Sequence, residues 1–200
     1  MKTATEISNV SNDAESTIMV PYQAEVEVVG TAALLFHRWS VDGVEAKSKA
    51  AKGSKAKKED DLESYVYRDS KGILCVPGEY FRMAIVNAAK YRQDPRSPRK
   101  SAMDITKAGV VAMSPLCSLG VKDWDEVDRR RVTIQRNAIT RSRPAMKEGW
   151  KCRFTLQVLL PEYINSAMLN DLIQQAGRLI GVGDFRPTFG RFQVVGFKVL

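Results

Sequence analysis

The chain has 200 residues, of which 44% are hydrophobic and 27% are charged, and its 31 Lys and Arg outnumber its 23 Asp and Glu to give a formal net charge of +8. A chain of this length can bury a sizeable core without disulfides or metals, so we expect one globular domain. No apolar run approaches the ~20 residues of a membrane span, and the N-terminus has no secretion signal, so we expect a cytoplasmic protein without a membrane partner. The sequence pI of about 9.5 is typical of a surface that binds phosphate groups.

The cysteine and histidine content argues against the common zinc sites. Cys75, Cys117 and Cys152 are far apart and form no C-x-x-C pair, and His37 is the sole histidine. A structural zinc ion takes four Cys or His ligands at short spacings, so we expect neither a metal nor a cofactor. Each cysteine resembles a small hydrophobic residue in or near a strand, which suits a reducing compartment.

The N-terminal third combines a polar tail, a strand and a basic segment. Residues 1–20 are rich in Ser, Asn, Thr and acids, which predicts a disordered or loosely docked tail. Alternating apolar residues predict a first strand over Gln23–Trp39, and Gly30 interrupts the alternation as a bulge would. Residues 42–61 have no apolar stripe and are either a basic loop that becomes ordered on a polyanion, or a solvated linker or surface helix. The lysines that would contact the polyanion are Lys47, Lys55, Lys57 and Lys58.

The middle of the chain contains a hairpin, a helix and a basic loop. Two apolar runs around a polar turn predict a short hairpin over residues 65–76. Pro77 precedes a helix over Gly78–Tyr91, whose apolar residues follow helical spacing. A proline-punctuated basic loop follows at Asp94–Lys100, and Val110–Leu116 has the composition of a strand.

The last third reads as a strand, a helix and a strand. Cys152–Val158 alternates between apolar and polar residues, which predicts a strand that is half in the core. Asn165 is the expected N-cap of a helix that ends at Leu179. In the final strand over Arg191–Leu200, apolar residues occur at both the odd-numbered and the even-numbered positions. We therefore expect both of its faces to be buried.

The order of these elements indicates the fold class. Strand, helix, strand, strand, helix, strand is the split βαβ plan, so we expect an α+β protein with a ferredoxin-like or RRM-like βαββαβ antiparallel sheet. Residues 21–200 would form this domain, with basic loops and a β-hairpin inserted near 41–76 and 117–150.

The most informative motif is the glycine-rich segment Gly177–Phe192, between the second helix and the last strand. Glycine permits positive φ angles, and exposed backbone N–H groups in such a loop can hold phosphate oxygens. Neither the helix of a dinucleotide fingerprint nor the Lys-Ser/Thr of a Walker A loop follows it. The alternative is a helix-to-strand connection with a glycine C-cap, in which the phenylalanines anchor the loop instead of stacking on bases. The candidate binding residues are Arg178, Gly181, Gly183, Arg186, Phe189, Gly190 and Arg191.

Gly181-Val182-Gly183 and Phe189-Gly190-Arg191-Phe192, after a helix and before a final strand, resemble the RAMP superfamily of CRISPR proteins. The length is more similar to the Cas7 backbone group than to the two-domain Cas6 group. His37-Arg38-Trp39-Ser40 resembles a motif of related phage proteins, which makes Arg38 a further candidate contact. The resemblance implies binding of single-stranded RNA, head-to-tail oligomers along the strand, and often no catalysis.

A second basic cluster, seven Lys and Arg in residues 129–147, supports the same function. Extended spacing places Arg131, Thr133 and Gln135 on one face, opposite Val132 and Ile134. Such a face suits a groove that tracks a nucleic-acid backbone, and the alternative is a solvated hairpin edge whose charges prevent aggregation. The resemblance implies a thumb over the bound strand here. We expect these arginines, those of the glycine-rich segment and the lysines of 47–58 to form walls of one groove, and the hairpin candidates are Arg131, Arg136, Arg141 and Arg143.

His37 is the candidate catalytic residue. A histidine can be the general acid or base of metal-independent RNA cleavage, and the alternatives are a hydrogen-bonded residue at a strand end or a base-stacking contact. Asp42, Asp60 and Asp61 could bind a metal ion for cleavage, although acids beside a lysine-rich loop more often balance its charge. We therefore expect a binding protein rather than an enzyme.

The leading hypothesis is a non-catalytic subunit that binds single-stranded nucleic acid, RNA in preference to DNA, and oligomerises along it. Three alternatives stay open. The chain could be a phage protein that binds or anneals single-stranded DNA, a metal-independent RNA endonuclease that uses His37, or an assembly subunit whose basic face meets an acidic protein.

Overall fold

The computed structural model describes residues 20–39, 45, 49, 61–134 and 137–200. Several predictions from the sequence lie outside these residues: the tail as far as residue 19, and the basic segment 42–61 except for residues 45, 49 and 61. The individual residues concerned are Asp42, Lys47, Lys55, Lys57, Lys58, Asp60, Gln135 and Arg136. In the part of the chain that is described, no helix is long and apolar enough to cross a membrane.

The described residues form an α+β protein. Its strands are β1 (Tyr22–Gly30), β2 (Leu34–Leu35), β3 (Tyr67–Arg68), β4 (Leu74–Pro77), β5 (Gln93–Asp94), β6 (Ser97–Ser101), β7 (Val110–Ala112), β8 (Leu116–Ser118), β9 (Glu126–Ile134), β10 (Asn137–Met146), β11 (Lys151–Val158) and β12 (Phe192–Val199). Its helices are α1 (Gly78–Ala88), α2 (Met103–Gly109) and α3 (Ser166–Leu179). Two short 3-10 turns lie at Glu63–Tyr65 and Ala89–Tyr91.

All strand pairs are antiparallel. The largest sheet has the order β12-β1-β11-β7, and two three-stranded sheets have the orders β2-β10-β9 and β3-β4-β8. Helices α1 and α3 pack against each other and against the four-stranded sheet. Phe81 of α1 stacks on Phe154 of β11 with ring centroids 4.3 Å apart, at the centre of the hydrophobic core.

The predicted first strand is two strands in different sheets, and Gly30 marks the break. The indole of Trp150 lies against this glycine, where a Cβ atom would stand 2.1 Å from the indole Nε1. Nε1 donates a hydrogen bond to the carbonyl oxygen of Ala32 at 2.9 Å. Gly30 therefore serves close packing rather than a bulge, and the chain turns after it to begin β2.

The bulge of this sheet lies between Glu27 and Val28, opposite β12. It shifts the register so that Phe192 and Phe197, an odd number of residues apart, both face the helices together with their partners on β1. Val195 is 56% exposed as a result. The prediction that both faces of the last strand are buried is wrong, because a regular alternation cannot show an inserted residue.

The two long helices agree with the sequence prediction. Helix α1 follows Pro77 and continues through a 3-10 turn to Tyr91. Asn165 caps α3, and its side-chain oxygen accepts a hydrogen bond from the backbone N–H of Met168 at 2.8 Å. The apolar face of α3 is buried as its spacing predicts.

Elsewhere the local structure is more regular than predicted. The basic loop Asp94–Lys100 is part of the hairpin β5–β6, and helix α2, with only seven residues, was not predicted. Val110–Leu116 is not one strand, because the chain leaves the sheet after Ala112 and the carbonyl of Pro115 accepts a hydrogen bond from Gly78. The structure differs from the prediction in these places because turns there are held by hydrogen bonds to residues of other elements.

The three cysteines are buried and free, as expected of small hydrophobic residues in strands. Cys75, Cys117 and Cys152 belong to β4, β8 and β11. The pKa of the Cys152 thiol is raised, mainly by a hydrogen bond with the Cys117 thiol and next by burial. The Cys152 thiol is therefore protonated and unreactive at neutral pH.

Candidate nucleic-acid interface

Strands β9 and β10 pair along their whole length as one antiparallel hairpin, within the region 117–150 where an inserted hairpin was predicted. Arg130 pairs with Arg141 and Asp128 with Arg143, so these side chains share one face. Arg131 pairs with Thr140 and lies on the opposite face. The arginines of this hairpin therefore cannot all line one groove, because neighbouring residues of a strand point to opposite sides.

The outer face of the hairpin is polar and exposed. Arg129, Arg131, Thr133 and Thr140 are all exposed, and the register places them on one side. Val132 is partly buried on the other side. This confirms the predicted polar face for the residues that are described.

The inner face of the hairpin is tied to the glycine-rich segment through Arg143. The side chain of Arg143 is only 4% exposed, and its Nε donates to Oδ2 of Asp184 at 3.3 Å. Its Nη1 donates to the carbonyl oxygen of Ser142 at 2.8 Å, and the guanidinium carbon lies 3.9 Å from the ring centroid of Tyr65. Arg143, predicted as a nucleic-acid contact, is thus a buried link between two elements.

A second link joins Arg130 to two aromatic rings of the glycine-rich segment. The guanidinium carbon of Arg130 lies 4.9 Å from the ring centroid of Phe185 and 4.5 Å from that of Phe189. Arg130 also donates through Nε to Asp128 at 2.6 Å. Phe189, predicted to stack on a base, is half-buried and packs on this guanidinium instead, as the alternative of an anchoring role expected.

The glycines of the segment permit close packing against residues 33–35. The N–H of Gly190 donates to Ala33 at 2.7 Å, and that of Asp184 donates to Leu35 at 3.0 Å. Gly190 has a φ of 71°, and a Cβ atom there would lie 1.7 Å from the carbonyl oxygen of Val182. The N–H of Gly181 likewise donates to Ala176 at 2.9 Å.

These contacts correct one part of the sequence prediction. The backbone N–H groups of Gly181 and Gly190 were expected to hold phosphate, but carbonyl groups of the chain already accept from them. The cations of the segment are placed differently: Arg178, Arg186 and Arg191 are exposed. Charge for a phosphate is therefore offered by these side chains, not by the backbone of those two glycines.

His37 lies beside the inner face of the hairpin. Its Nε2 is 3.2 Å from Nη2 of Arg141, and because a guanidinium can only donate, Nε2 accepts this hydrogen bond. The ring proton then resides on Nδ1, which is buried and has no hydrogen-bond partner. Burial is the main cause that lowers the pKa of His37, and the charge of Arg143 is the next. The carboxylate of Asp184 partly offsets this shift. The imidazole is therefore neutral at pH 7, and the lone pair of its Nε2 already accepts a hydrogen bond.

A pocket of about 420 Å³ opens next to His37, between helix α1 and the glycine-rich segment. Helix α1 contributes Tyr80, Met83 and Asn87, and the segment contributes Arg186. The sequence prediction missed the three helical residues, although their spacing of three and four places them on one helix face. The hydroxyl of Tyr80 lies 3.3 Å from that of Tyr67, over whose ring the exposed Arg38 lies at 5.5 Å.

Of the acidic candidates for a metal site, Asp61 is the one within the described residues. Asp61 accepts a hydrogen bond from the backbone N–H of Glu63 at 3.2 Å. Among the described residues there is no group of three or more His, Cys, Asp or Glu side chains placed to hold a metal ion.

Comparison with known proteins gives a likeness of fold. No family model matches the sequence, and no curated protein matches it. The structure is similar to a chain in the cryo-EM structure of the Type III-B Cmr-beta complex bound to cognate target RNA, with a TM-score of 0.54 and 10% identity over 90% of this chain. It is also matched to the crystal structure of Cmr6 from Pyrococcus furiosus, with a TM-score of 0.45 and 11% identity over 86% of this chain and 97% of that one.

The fold is shared with a Cmr subunit. The predicted resemblance to RAMP proteins is thereby confirmed as a structural similarity. The chain spans 61% of the length of the Cmr-beta chain that it matches. At 10% identity the similarity concerns the path of the backbone and not the residues of a site.

Proposed function

We propose that this chain is a non-catalytic subunit that binds single-stranded nucleic acid, RNA in preference to DNA, and assembles head to tail along the strand. The observation that carries the proposal is the exposed basic face of the β9–β10 hairpin on a fold shared with a chain of an RNA-bound Cmr complex. The basic pI supports it as well.

The sheet order supports a ferredoxin-like plan for residues 21–200. The four strands are β1, β7, β11 and β12 in chain order. In the sheet, the fourth strand lies beside the first, the first beside the third, and the third beside the second. Helix α1 precedes the second of these strands and helix α3 precedes the fourth. From this arrangement we infer a βαββαβ fold, with the β9–β10 hairpin inserted between the middle strands.

The hairpin has a fixed base and a free outer surface. Its base is held where β10 pairs with β2, and by the contacts of Arg143 with Asp184 and of Arg130 with Phe189. The guanidinium groups of Arg129 and Arg131 point away from this anchored side. A rigid base with outward cations suits a strand backbone, because less side-chain and loop entropy is lost on binding.

The hydrogen bond between Arg141 and His37 favours binding over cleavage. A general base needs a free lone pair within reach of the proton that it removes. The Nε2 lone pair of His37 is occupied by Arg141, and Nδ1 is buried. We therefore assign His37 a structural role.

Titration of labelled single strands tests the proposal. Fluorescence anisotropy with RNA and DNA of equal sequence should show binding that weakens steeply with salt, and RNA should bind more tightly. Nuclease footprints should lengthen by a fixed number of nucleotides with each added protomer. Absence of binding at micromolar protein and low salt would overturn the proposal, and an acidic protein that co-purifies without nucleic acid would favour an assembly subunit.

Cleavage assays separate the binding protein from a nuclease. Wild type and His37→Ala are incubated with the same RNA, with and without a chelator. Equal absence of product agrees with the proposal. Cleavage by wild type that His37→Ala loses would show that the alternative of a metal-independent endonuclease is right.

A further inference from the structure

Trp39 has the most exposed aromatic side chain of the described residues, at 70%. The backbone that leads to it is fixed, because the N–H of Arg38 donates to the carbonyl oxygen of Tyr65 at 2.8 Å. The guanidinium carbon of Arg38 also lies 5.5 Å from the ring centroid of Tyr67. An indole on a fixed base loses little conformational entropy when a partner buries it, and tryptophan is enriched among the residues that dominate protein interfaces.

A groove of about 670 Å³, which we call the outer groove, opens where β8 meets the face of the four-stranded sheet turned away from the helices. Its apolar floor includes Val29, Leu119 and Val195. The register leaves Val195 without a partner on β1, and this bulge turns its side chain, 56% exposed, toward the groove. The volume lies within the range of pockets that enclose a drug-sized ligand, so an indole fits.

The rim of the outer groove offers an indole two polar contacts. The carboxylate of Glu27 accepts a hydrogen bond from Arg153 and has further lone pairs for an indole N–H. The exposed ammonium of Lys151 can lie on the face of the ring, and cation–π attraction is strongest for tryptophan. The same carboxylate repels phosphate, so the groove suits a protein side chain better than a nucleic-acid strand.

Trp39 and the outer groove lie at opposite edges of the sheet β3-β4-β8. Arg38 contacts Tyr67 of β3, whereas the groove is lined by Ser118 of β8 and by Leu119. Two strand spacings of ~4.8 Å separate these edges, and Trp39 does not line the groove of its own chain. Complementary surfaces on different sides of one rigid unit meet between copies rather than within one, and such contacts repeat head to tail.

We propose that Trp39 of one protomer docks into the outer groove of the next. The inference rests on the proposed function, because it names the surfaces by which protomers on one strand touch. A tryptophan buries only about 150–250 Å², whereas a stable interface buries about 1,200–2,000 Å². Protomers therefore stay separate in dilute solution and associate when a strand raises their effective concentration.

Cooperative binding tests the contact. Fluorescence anisotropy gives the affinity for a labelled RNA that holds one protomer and for a longer RNA with room for several. Trp39→Ala should bind the short RNA as the wild type does and show about 30-fold lower cooperativity on the long one, as loss of a dominant interface residue does. Val195→Asp, which places a carboxylate on the apolar floor, should have the same effect.

Two matched variants control for exposure and charge. Tyr91→Ala removes another exposed aromatic ring, at 66%, and Val199→Asp makes the same charge change on the same strand as Val195→Asp. Neither residue lines the outer groove, so both variants should keep the cooperativity of the wild type. Loss of cooperativity in these controls as well would overturn the assignment to Trp39 and the groove.

A mixture of the two interface variants gives a sharper test. Trp39→Ala keeps its groove and Val195→Asp keeps its tryptophan, so one contact can form between them and no further one. Native mass spectrometry on the long RNA should show pairs for the mixture, single protomers for each variant alone and longer arrays for the wild type. Equal distributions for the mixture and the separate variants would contradict the docking contact.

The failures of the two proposals are distinguishable. Weaker binding of Trp39→Ala to the short RNA would show that the indole contacts the strand, which overturns the docking contact and leaves strand binding intact. If no RNA binds, sedimentation velocity at high protein concentration decides without a strand. Self-association that Trp39→Ala abolishes, and that mixing with Val195→Asp restores, would keep the contact. A wild type that stays monomeric there would overturn it too.

Discussion

Arg143 and Asp184 connect the basic hairpin to the glycine-rich segment, with Nε 3.3 Å from the carboxylate oxygen Oδ2. The guanidinium is buried, and this carboxylate supplies its counter-charge. Asp184→Asn leaves a buried cation without its counter-charge, and we expect the free energy of unfolding to fall by about 3 kcal/mol. Urea denaturation followed by circular dichroism measures the change.

Asp128→Asn is the matched control for this link. Asp128 also pairs with an arginine of the hairpin, Arg130, but the two are only two residues apart and more exposed, at 19% and 32%. Such a pair contributes about 1 kcal/mol or less. Equal loss of stability in the two variants would contradict the role of Arg143 and Asp184 as a buried link.

Gly190 and Gly120 offer a test of the packing in the glycine-rich segment. Both have positive φ, at 71° and 75°, but a Cβ atom on Gly120 meets nothing within 4 Å. Gly120→Ala should therefore destabilise by only the backbone term of about 1–2 kcal/mol. Gly190→Ala adds a clash with Val182 and should cost several kcal/mol more. Thermal melts that shift equally would show that the backbone of Val182 can move away from residue 190 at little cost.

The burial of His37 makes stability depend on pH in a defined direction. Because the pKa of His37 is held below its ordinary value, the unfolded chain binds a proton below about pH 6.5 that the folded chain does not. The contribution of His37 to the free energy of unfolding is complete above this pH. It falls as the pH is lowered through this value, and it stops falling below the folded-state pKa.

His37→Gln removes this titration and so isolates it. The difference in unfolding free energy between wild type and variant should decline on acidification from about pH 7, by at most about 1.4 kcal/mol per pH unit. Denaturant titrations at a series of pH values measure it. A buried neutral imidazole would be contradicted if the unfolding free energies of the two proteins changed with pH in parallel. It would also be contradicted if the wild type became more stable than the variant on acidification.

The exposed hairpin cations should set the salt dependence of strand binding. If Arg129 and Arg131 each meet one phosphate, replacing both by alanine should reduce the slope of log K against log salt by about 1.4. Arg153 is the control, because it is exposed but pairs with Glu27 on the four-stranded sheet. Arg153→Ala should leave the slope unchanged, and an equal effect of both changes would point to non-specific attraction by net charge.

Elements specified by local rules were predictable from the sequence. The cap of Asn165, the proline before α1 and the alternation of β11 each act within a few residues, and all three appear in the structure. The polar face around Arg131 also followed from spacing alone. Local geometry was sufficient in these places because the partner groups are close in the chain.

Contacts between distant residues decided the remainder. The first strand ends at Gly30 because Trp150 packs on it, 120 residues away. Arg143 carries the same charge as Arg131, yet register and Asp184 make it a buried link. The pocket was missed for the same reason, since His37, Asn87 and Arg186 meet only after folding.

Of the three tryptophans, Trp39 and Trp150 have the most different environments, and Trp124 is partly buried. Trp150 is 5% exposed and packs on Gly30 in the core, so its emission lies at shorter wavelength and follows unfolding. Trp39 is 70% exposed, two residues from His37, so its emission lies at longer wavelength and is open to quenching by a bound base. Unfolding and the proposed strand binding should therefore change the fluorescence at different wavelengths, each over the added emission of Trp124.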